Sequence, residues 1–285
     1  MTLALGTNDG ISAELRAAVR RERRLGTLAV RLTLLGGFGI TFLIYAPVLW
    51  LGVLSISLDP LSGFPGPFTL QWYRSLFDQP AWVQPLIRSI EIALIVSVLC
   101  IAAATLVGRV LPRMAHNQAL LLGGFLLPLV IPGIVIGINV FIFYRMLIGW
   151  KMGAWALVLC HFIWAFPFAL LGMLVVSVRF DGRLLEAAAD LGAGPWRRFW
   201  DIERPLLMPG IMTAGLFGFL LSLTELPRSI FVYGRFQTLP LYTWAEASAR
   251  ASHIPLIYCL NALISLVSVA LSVLALWQLG RGARR

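Results

Sequence analysis

Six apolar stretches, each long enough to cross a bilayer as an α-helix, fill most of this sequence. They run approximately Leu32–Ser57, Ser89–Val107, Ala119–Tyr144, Ala154–Val178, Met208–Leu226 and Ile254–Leu279. Roughly 20 mostly apolar residues span the hydrocarbon core, and a helix satisfies its own backbone N–H and C=O groups there, where water cannot. The composition agrees: 59% of the 285 residues are hydrophobic and 13% charged, against about 25% charged in soluble domains. The expected fold class is an all-α polytopic membrane protein with six transmembrane helices. The first stretch is long for a signal-peptide core and no small-residue cleavage pattern follows it, so it is read as retained. Residues 1–31 form a basic N-terminal segment, 32–279 the membrane domain, and 280–285 a tail.

The net charge of +10 is explained by topology before nucleic acid needs to be invoked. With both termini in the cytoplasm, sixteen of the 23 Lys and Arg residues fall on the inner side, as the positive-inside rule requires. The expected orientation is N-in, C-in. The arginines between Arg16 and Arg31 read as an orientation signal touching anionic lipid, with no nucleic-acid partner. Cys100, Cys160 and Cys259 lie in three different spans without paired spacing, and His116, His161 and His253 are scattered, so no metal site is expected.

Proline and glycine punctuate the third and fourth spans. Pro128 and Pro132 remove backbone donors and kink the third, Gly133 and Gly137 admit a close neighbour, and Pro167 interrupts the fourth. Such spans either line a pathway or pack on other helices. Outside the membrane, the segment 59–87 is rich in Pro, Gly and aromatics, and Trp72 and Trp82 read as interfacial anchors. A second external segment, Tyr233–His253, holds a Leu239-Pro240 turn and a short helix through Trp244 and Glu246.

The longest cytoplasmic connection, 179–207, is the most informative. Asp181 is placed to cap a helix, Leu184-Leu185-Glu186-Ala187-Ala188-Ala189 favours one, and Gly192 or Gly194 ahead of Pro195 stops it. A second short helix is expected from Pro195. Leu184, Ala188 and Leu191 fall at i, i+4 and i+7, a narrow apolar stripe on a helix with no core of its own to cover. It should dock on the bilayer or in a groove of another protein.

Glu186-Ala187-Ala188, then Gly192, Ile202 and Pro205 at the spacing EAA-x3-G-x9-I-x-L-P resemble the EAA loop of ABC-importer permeases, with Arg204 where the motif has Leu. The resemblance implies a type I importer permease of the bacterial inner membrane. The loop would be a coupling helix seated in a cleft of the nucleotide-binding subunit: Glu186, Ala187, Ala188, Leu191, Gly192, Ile202 and Pro205 would form the ATPase-coupling site. Phe68-Thr69-Leu70-Gln71-Trp72-Tyr73, Leu76-Phe77, Arg88-Ser89, Thr238-Leu239-Pro240-Leu241, Pro255 and Asn261-Ala262 resemble the second permease subunit of spermidine/putrescine importers. Where such polyamine permeases carry acidic residues near the end of the fifth span, this sequence has Thr224-Glu225 and then Arg228, and a fixed cation opposes a polycationic solute.

The implied partners are a cytoplasmic ABC ATPase dimer carrying ATP and Mg, a second permease subunit (a related chain or a second copy) and an external solute-binding protein. No cofactor is expected on this chain. It has no P-loop, its one lysine, Lys151, sitting in Gly-Trp-Lys-Met-Gly, and no nucleophile–base pair or HExxH marks an enzyme. An ion-coupled secondary transporter is the alternative; it would place acidic residues in mid-span, whereas Glu91 and Glu225 lie near span ends and only His161 approaches the interior. For solute contacts the sequence nominates Asn139, Trp164, Glu225 and Arg228.

Overall fold

The computed structural model describes residues 7–249 and 251–282, with side chains described for 30–249, 252–270 and 273. The arginines at 16, 20, 21, 23, 24, 250, 281, 284 and 285 that enter the charge count lie outside the described side chains. The chain divides into two compact units, Met1–Thr69 and Leu70–Arg285.

The first unit is helix α1 (Thr7–Leu54), with Pro47 inside it, followed by a folded-back loop. Side chains from Val30 to Trp50 are almost uniformly exposed. The loop closes through Leu58 N–H to Pro67 O (2.9 Å) and Thr69 N–H to Ile56 O (2.7 Å). Trp50 Nε1 donates to Gly63 O at 3.2 Å.

The second unit contains α2 (Gln71–Asp78), α3 (Val83–Val110), α4 (Gln118–Leu126), α5 (Gly133–Ile142), α6 (Ala154–Ser177), α7 (Arg183–Asp190), α8 (Pro195–Arg197), α9 (Arg204–Leu223), α10 (Leu239–Ala249) and α11 (Ile254–Gly282). Its centre is the packing of α3, α6 and α9. Small residues let these helices approach: Ser97 Oγ donates to Gly215 O at 2.8 Å, and a methyl group on Gly218 would lie 2.9 Å from the Ser97 Cα. Cys100 and Cys160 are buried in this core as small apolar residues.

A second cluster joins α2, α10 and α11 around Leu76, Leu239, Cys259 and Leu260. Trp72 and Trp82, expected as interfacial anchors, are half-buried and pack on this cluster. Trp82 Nε1 donates to Leu76 O at 2.9 Å. The indoles lock the segment between Gln71 and Trp82 to the unit's own helices.

Among the described residues, Val30–Leu54, Pro80–Arg113, Ala154–Ser177 and Pro195–Leu223 are long and apolar enough to cross a bilayer. A fifth crossing arises if Gln118–Leu129 and Gly133–Ile148 are one span, but these two are bent by 95°. The third apolar stretch is therefore broken rather than kinked, because Pro128 and Pro132 lack N–H donors on consecutive turns. The structure shows an all-helical, polytopic architecture.

Candidate functional site

The loop between α6 and α9 begins as its residues dictate. Asp181 Oδ1 accepts the Arg183 N–H at 3.0 Å, a local turn across Gly182, which is itself the N-cap of α7 and carries no side-chain cap. Gly192 adopts φ +82°, its N–H donating to Ala189 O (2.8 Å) while Ala193 N–H donates to Ala188 O (2.9 Å). This pair of bonds is the Schellman stop, which satisfies the last carbonyls of the helix and favours glycine at the left-handed position.

The apolar face is rotated from the expected stripe. Ala188 and Leu185 are half-buried toward their own chain, and Arg198 Nη1 donates to Leu185 O at 3.4 Å. Leu184, Ala187 and Leu191 are exposed instead, Leu191 at 89%. Glu186 is exposed, Ile202 is half-buried and Pro205 exposed.

Beyond Gly194 the separate short helix expected from Pro195 does not end. Wide π-type turns over Arg198–Glu203 carry it into α9, with Arg204 N–H reaching back to Phe199 O. Pro205 has no N–H to donate, and the wider turn ahead of it accommodates that loss. Glu203, 1% exposed, accepts from Arg109 Nη2 (2.5 Å) and Arg113 Nη2 (2.7 Å) at the end of α3. The Arg109 guanidinium also stacks over Phe199, 4.4 Å from its centroid, and Arg113 over Phe180 at 5.3 Å. One carboxylate thus ties the loop to a core helix. Glu203 was not singled out from sequence; an acidic residue well past the Gly192 stop, matched to Arg109 and Arg113 at separations of 94 and 90 residues, gives no local signal.

At the other end of α9 the helix stops at Leu223, and Thr224–Arg228 turns back on the core. Arg228 Nη1 donates to Glu225 Oε2 (2.9 Å) and Oε1 (3.1 Å), and Arg228 N–H also donates to Oε1 at 3.0 Å. The Arg228 guanidinium carbon lies 3.8 Å from the Trp164 ring centroid. Both ionic residues are buried, Glu225 at 4% and Arg228 at 6% exposure, a placement tolerable only because each has its partner. Below them His161 bridges Ser222 and Ser229, with 2.8 Å from each ring nitrogen to a hydroxyl.

Three of the four nominated solute residues, Trp164, Glu225 and Arg228, therefore meet. Asn139 is exposed on α5. The glycines of the third stretch serve this cluster: a methyl on Gly133 would lie 2.9 Å from the Arg228 guanidinium, and one on Gly137 2.5 Å from the Arg228 carbonyl oxygen. Among the described residues no group of three or more His, Cys, Asp or Glu could hold a metal.

Residues 118–284, containing both the loop and the buried cluster, match the family of the binding-protein-dependent transport system inner membrane component. The chain belongs to that family. It is a permease subunit of an ABC importer, a multi-pass protein of the bacterial inner membrane, and in this family ATP hydrolysis resides on a separate subunit. The permease is 28% identical over 234 residues to the spermidine/putrescine transport system permease protein PotC of Haemophilus influenzae, covering 81% of this chain and 90% of the relative. It is 30% identical over 246 residues to the putrescine transport system permease protein PotI of Escherichia coli K12, covering 82% and 84%. It is also 25% identical over 226 residues to the putative 2-aminoethylphosphonate transport system permease protein PhnV of Salmonella typhimurium, covering 78% and 82%. Membership of this family disfavours the ion-coupled carrier.

Proposed function

We propose that the permease crosses the membrane six times with both termini in the cytoplasm, and that α7 is the coupling helix that an ATPase dimer grips. Residues 1–31 and 280–285 are the cytoplasmic ends in this reading, and 32–279 the membrane domain. The observation that carries it is the exposed apolar face formed by Leu184 and Ala187 of α7 with Leu191 just after it, on a helix with a Schellman stop at Gly192. An exposed apolar stripe on a helix with no core of its own to cover suits a groove on another protein. Glu186, Ala187 and Leu191 contact the ATPase; Ala188, Gly192, Ile202 and Pro205 shape the loop. ATP and Mg bind the ATPase alone.

Two permease subunits, this one with a related partner or a second copy, enclose the path, and an external binding protein delivers the solute. ATP-driven closure of the ATPases moves the coupling helices as rigid bodies and opens the path outward. The solute is a small aliphatic amine. The relatives named above are called after spermidine, putrescine and 2-aminoethylphosphonate, which share an amino group. Arg228 no longer argues against a cation, since Glu225 neutralises it locally. Asn139 and Trp164 are candidate contacts along the path, and Glu225 with Arg228 positions the Trp164 ring.

Co-purification tests this reading. The intact permease should bring down a soluble ATPase and lose it in Glu186→Lys and Gly192→Asp, while retention by both variants would overturn the assignment. Uptake of labelled putrescine, spermidine and 2-aminoethylphosphonate into vesicles containing the whole importer tests the solute class; transport of none of the three rejects the amine.

A further inference from the structure

A groove of about 700 Å³ opens between α3 and α9 where both meet α8. Its walls are apolar along Ile101, Ala102, Leu106 and Ile211, and Trp196, Trp200, Arg109 and Arg204 also line it. Arg204 is the residue at which this loop departs from the EAA-type spacing it resembles, where Leu is usual. Its guanidinium stands 4.9 Å over the Trp200 ring.

Two polar atoms in the groove lack partners among the described residues. Thr105 is 7% exposed, and its Oγ1 is buried without a hydrogen bond, as is Arg109 Nε. A buried polar atom left unpaired is costly, so each calls for an occupant. The local charge is positive: the Glu203 carboxylate binds Arg109 and Arg113, and Arg204 stacks over Trp200. The groove lies at the ends of two stretches apolar enough to cross the bilayer, Pro80–Arg113 and Pro195–Leu223, and tryptophan with arginine at such an end is the chemistry of the headgroup layer.

We propose that this groove holds one anionic phospholipid of the cytoplasmic leaflet. The phosphate sits between Arg204 and Arg109, and an acyl chain runs along Ile101, Ala102 and Ile211 between the helices. The lipid covers the joint at which the loop is fastened to α3, so its loss loosens the coupling helix. The cytoplasmic placement rests on the proposed orientation; lipid capture itself does not, since either leaflet can supply the lipid.

The test places the intact importer in phosphatidylcholine nanodiscs doped with photoreactive phosphatidylglycerol, followed by peptide mapping of the adducts. Adducts are expected within 101–109 and 196–211. Arg204→Leu, which restores the family residue, should lower labelling about fivefold, the effect of one basic residue at a membrane surface. Arg204→Lys should retain it, as should Arg197→Leu, which removes an exposed charge of the same loop outside the groove. Ala102→Trp, which fills the groove and leaves every charge in place, should lower it also. Labelling of Arg204→Leu or Ala102→Trp at the level of the unmodified protein would overturn the proposal. So would equal loss in Arg197→Leu, equal labelling by photoreactive phosphatidylcholine, or capture of the second permease subunit in the groove in place of lipid.

Discussion

The Arg228 guanidinium is stacked 3.8 Å from the Trp164 ring centroid while its Nη1 and the Arg228 backbone N–H are both held by Glu225. One buried arginine thus joins α6, the end of α9 and the glycine face of α5. The pair is expected to show the asymmetry of buried ion pairs. Glu225→Gln or Arg228→Met alone should destabilise the detergent-solubilised protein by about 3–5 kcal/mol, and the double variant by less than either, because the single variants leave a buried charge unpaired. Thermal unfolding followed by size-exclusion chromatography measures this. A double variant worse than both singles contradicts the pairing.

The close approach of α5 to Arg228 gives a second expectation. A methyl on Gly137 would meet the Arg228 carbonyl oxygen at 2.5 Å, whereas one on Gly123 would meet nothing within 4 Å. Gly137→Ala should cost about 1–3 kcal/mol through overpacking and reduce uptake; Gly123→Ala should do neither. Matching melting temperatures for the two variants would show that the segments separate easily.

Glu203 should act as a fastener. Glu203→Gln removes the negative charge and one of the two oxygens that Arg109 and Arg113 share. Both arginines are partly exposed, so solvent screening limits the loss to about 1–2 kcal/mol. The local effect should be larger than the global one. Protease cleavage within 183–203 should accelerate while the melting temperature moves little, and unchanged cleavage would dissociate Glu203 from the order of the loop.

At Gly192, φ is +82°. Gly192→Ala should therefore lower stability by about 1 kcal/mol, with a greater loss of ATP-driven uptake because Leu191 is re-aimed. Uptake at the unmodified rate would mean that the stop of α7 is irrelevant to coupling.

The start and stop of α7 were legible in the sequence because Asp181 and Gly192 act through bonds a few residues long. Four of the six apolar stretches, which form helices long enough to cross a bilayer among the described residues, were legible for the same reason: bilayer crossing is a property of one segment. What sequence did not supply is what needs two segments at once. The exposed face of α7 is set by Arg198 holding Leu185, which turns Ala188 inward and leaves Ala187 outside. The 95° break after Pro128 depends on whether a proline pair finds other partners, and a kinked continuous helix has the same local signals. The Trp164–Glu225–Arg228 convergence was partly visible as residue types near span ends. His161 between Ser222 and Ser229 and Glu203 between two arginines were not, since their partners lie about sixty to ninety residues away.

The most direct measurement is site-specific photo-crosslinking in the assembled importer. A photoreactive residue at Leu191, the most exposed apolar position of α7, should capture the ATPase subunit. The same residue at Val130, also exposed but at the break between α4 and α5, should not, and Glu186→Lys should abolish capture from 191. Absence of an ATPase adduct from 191, or adducts of equal yield from 130, would contradict the account of α7 as the coupling helix.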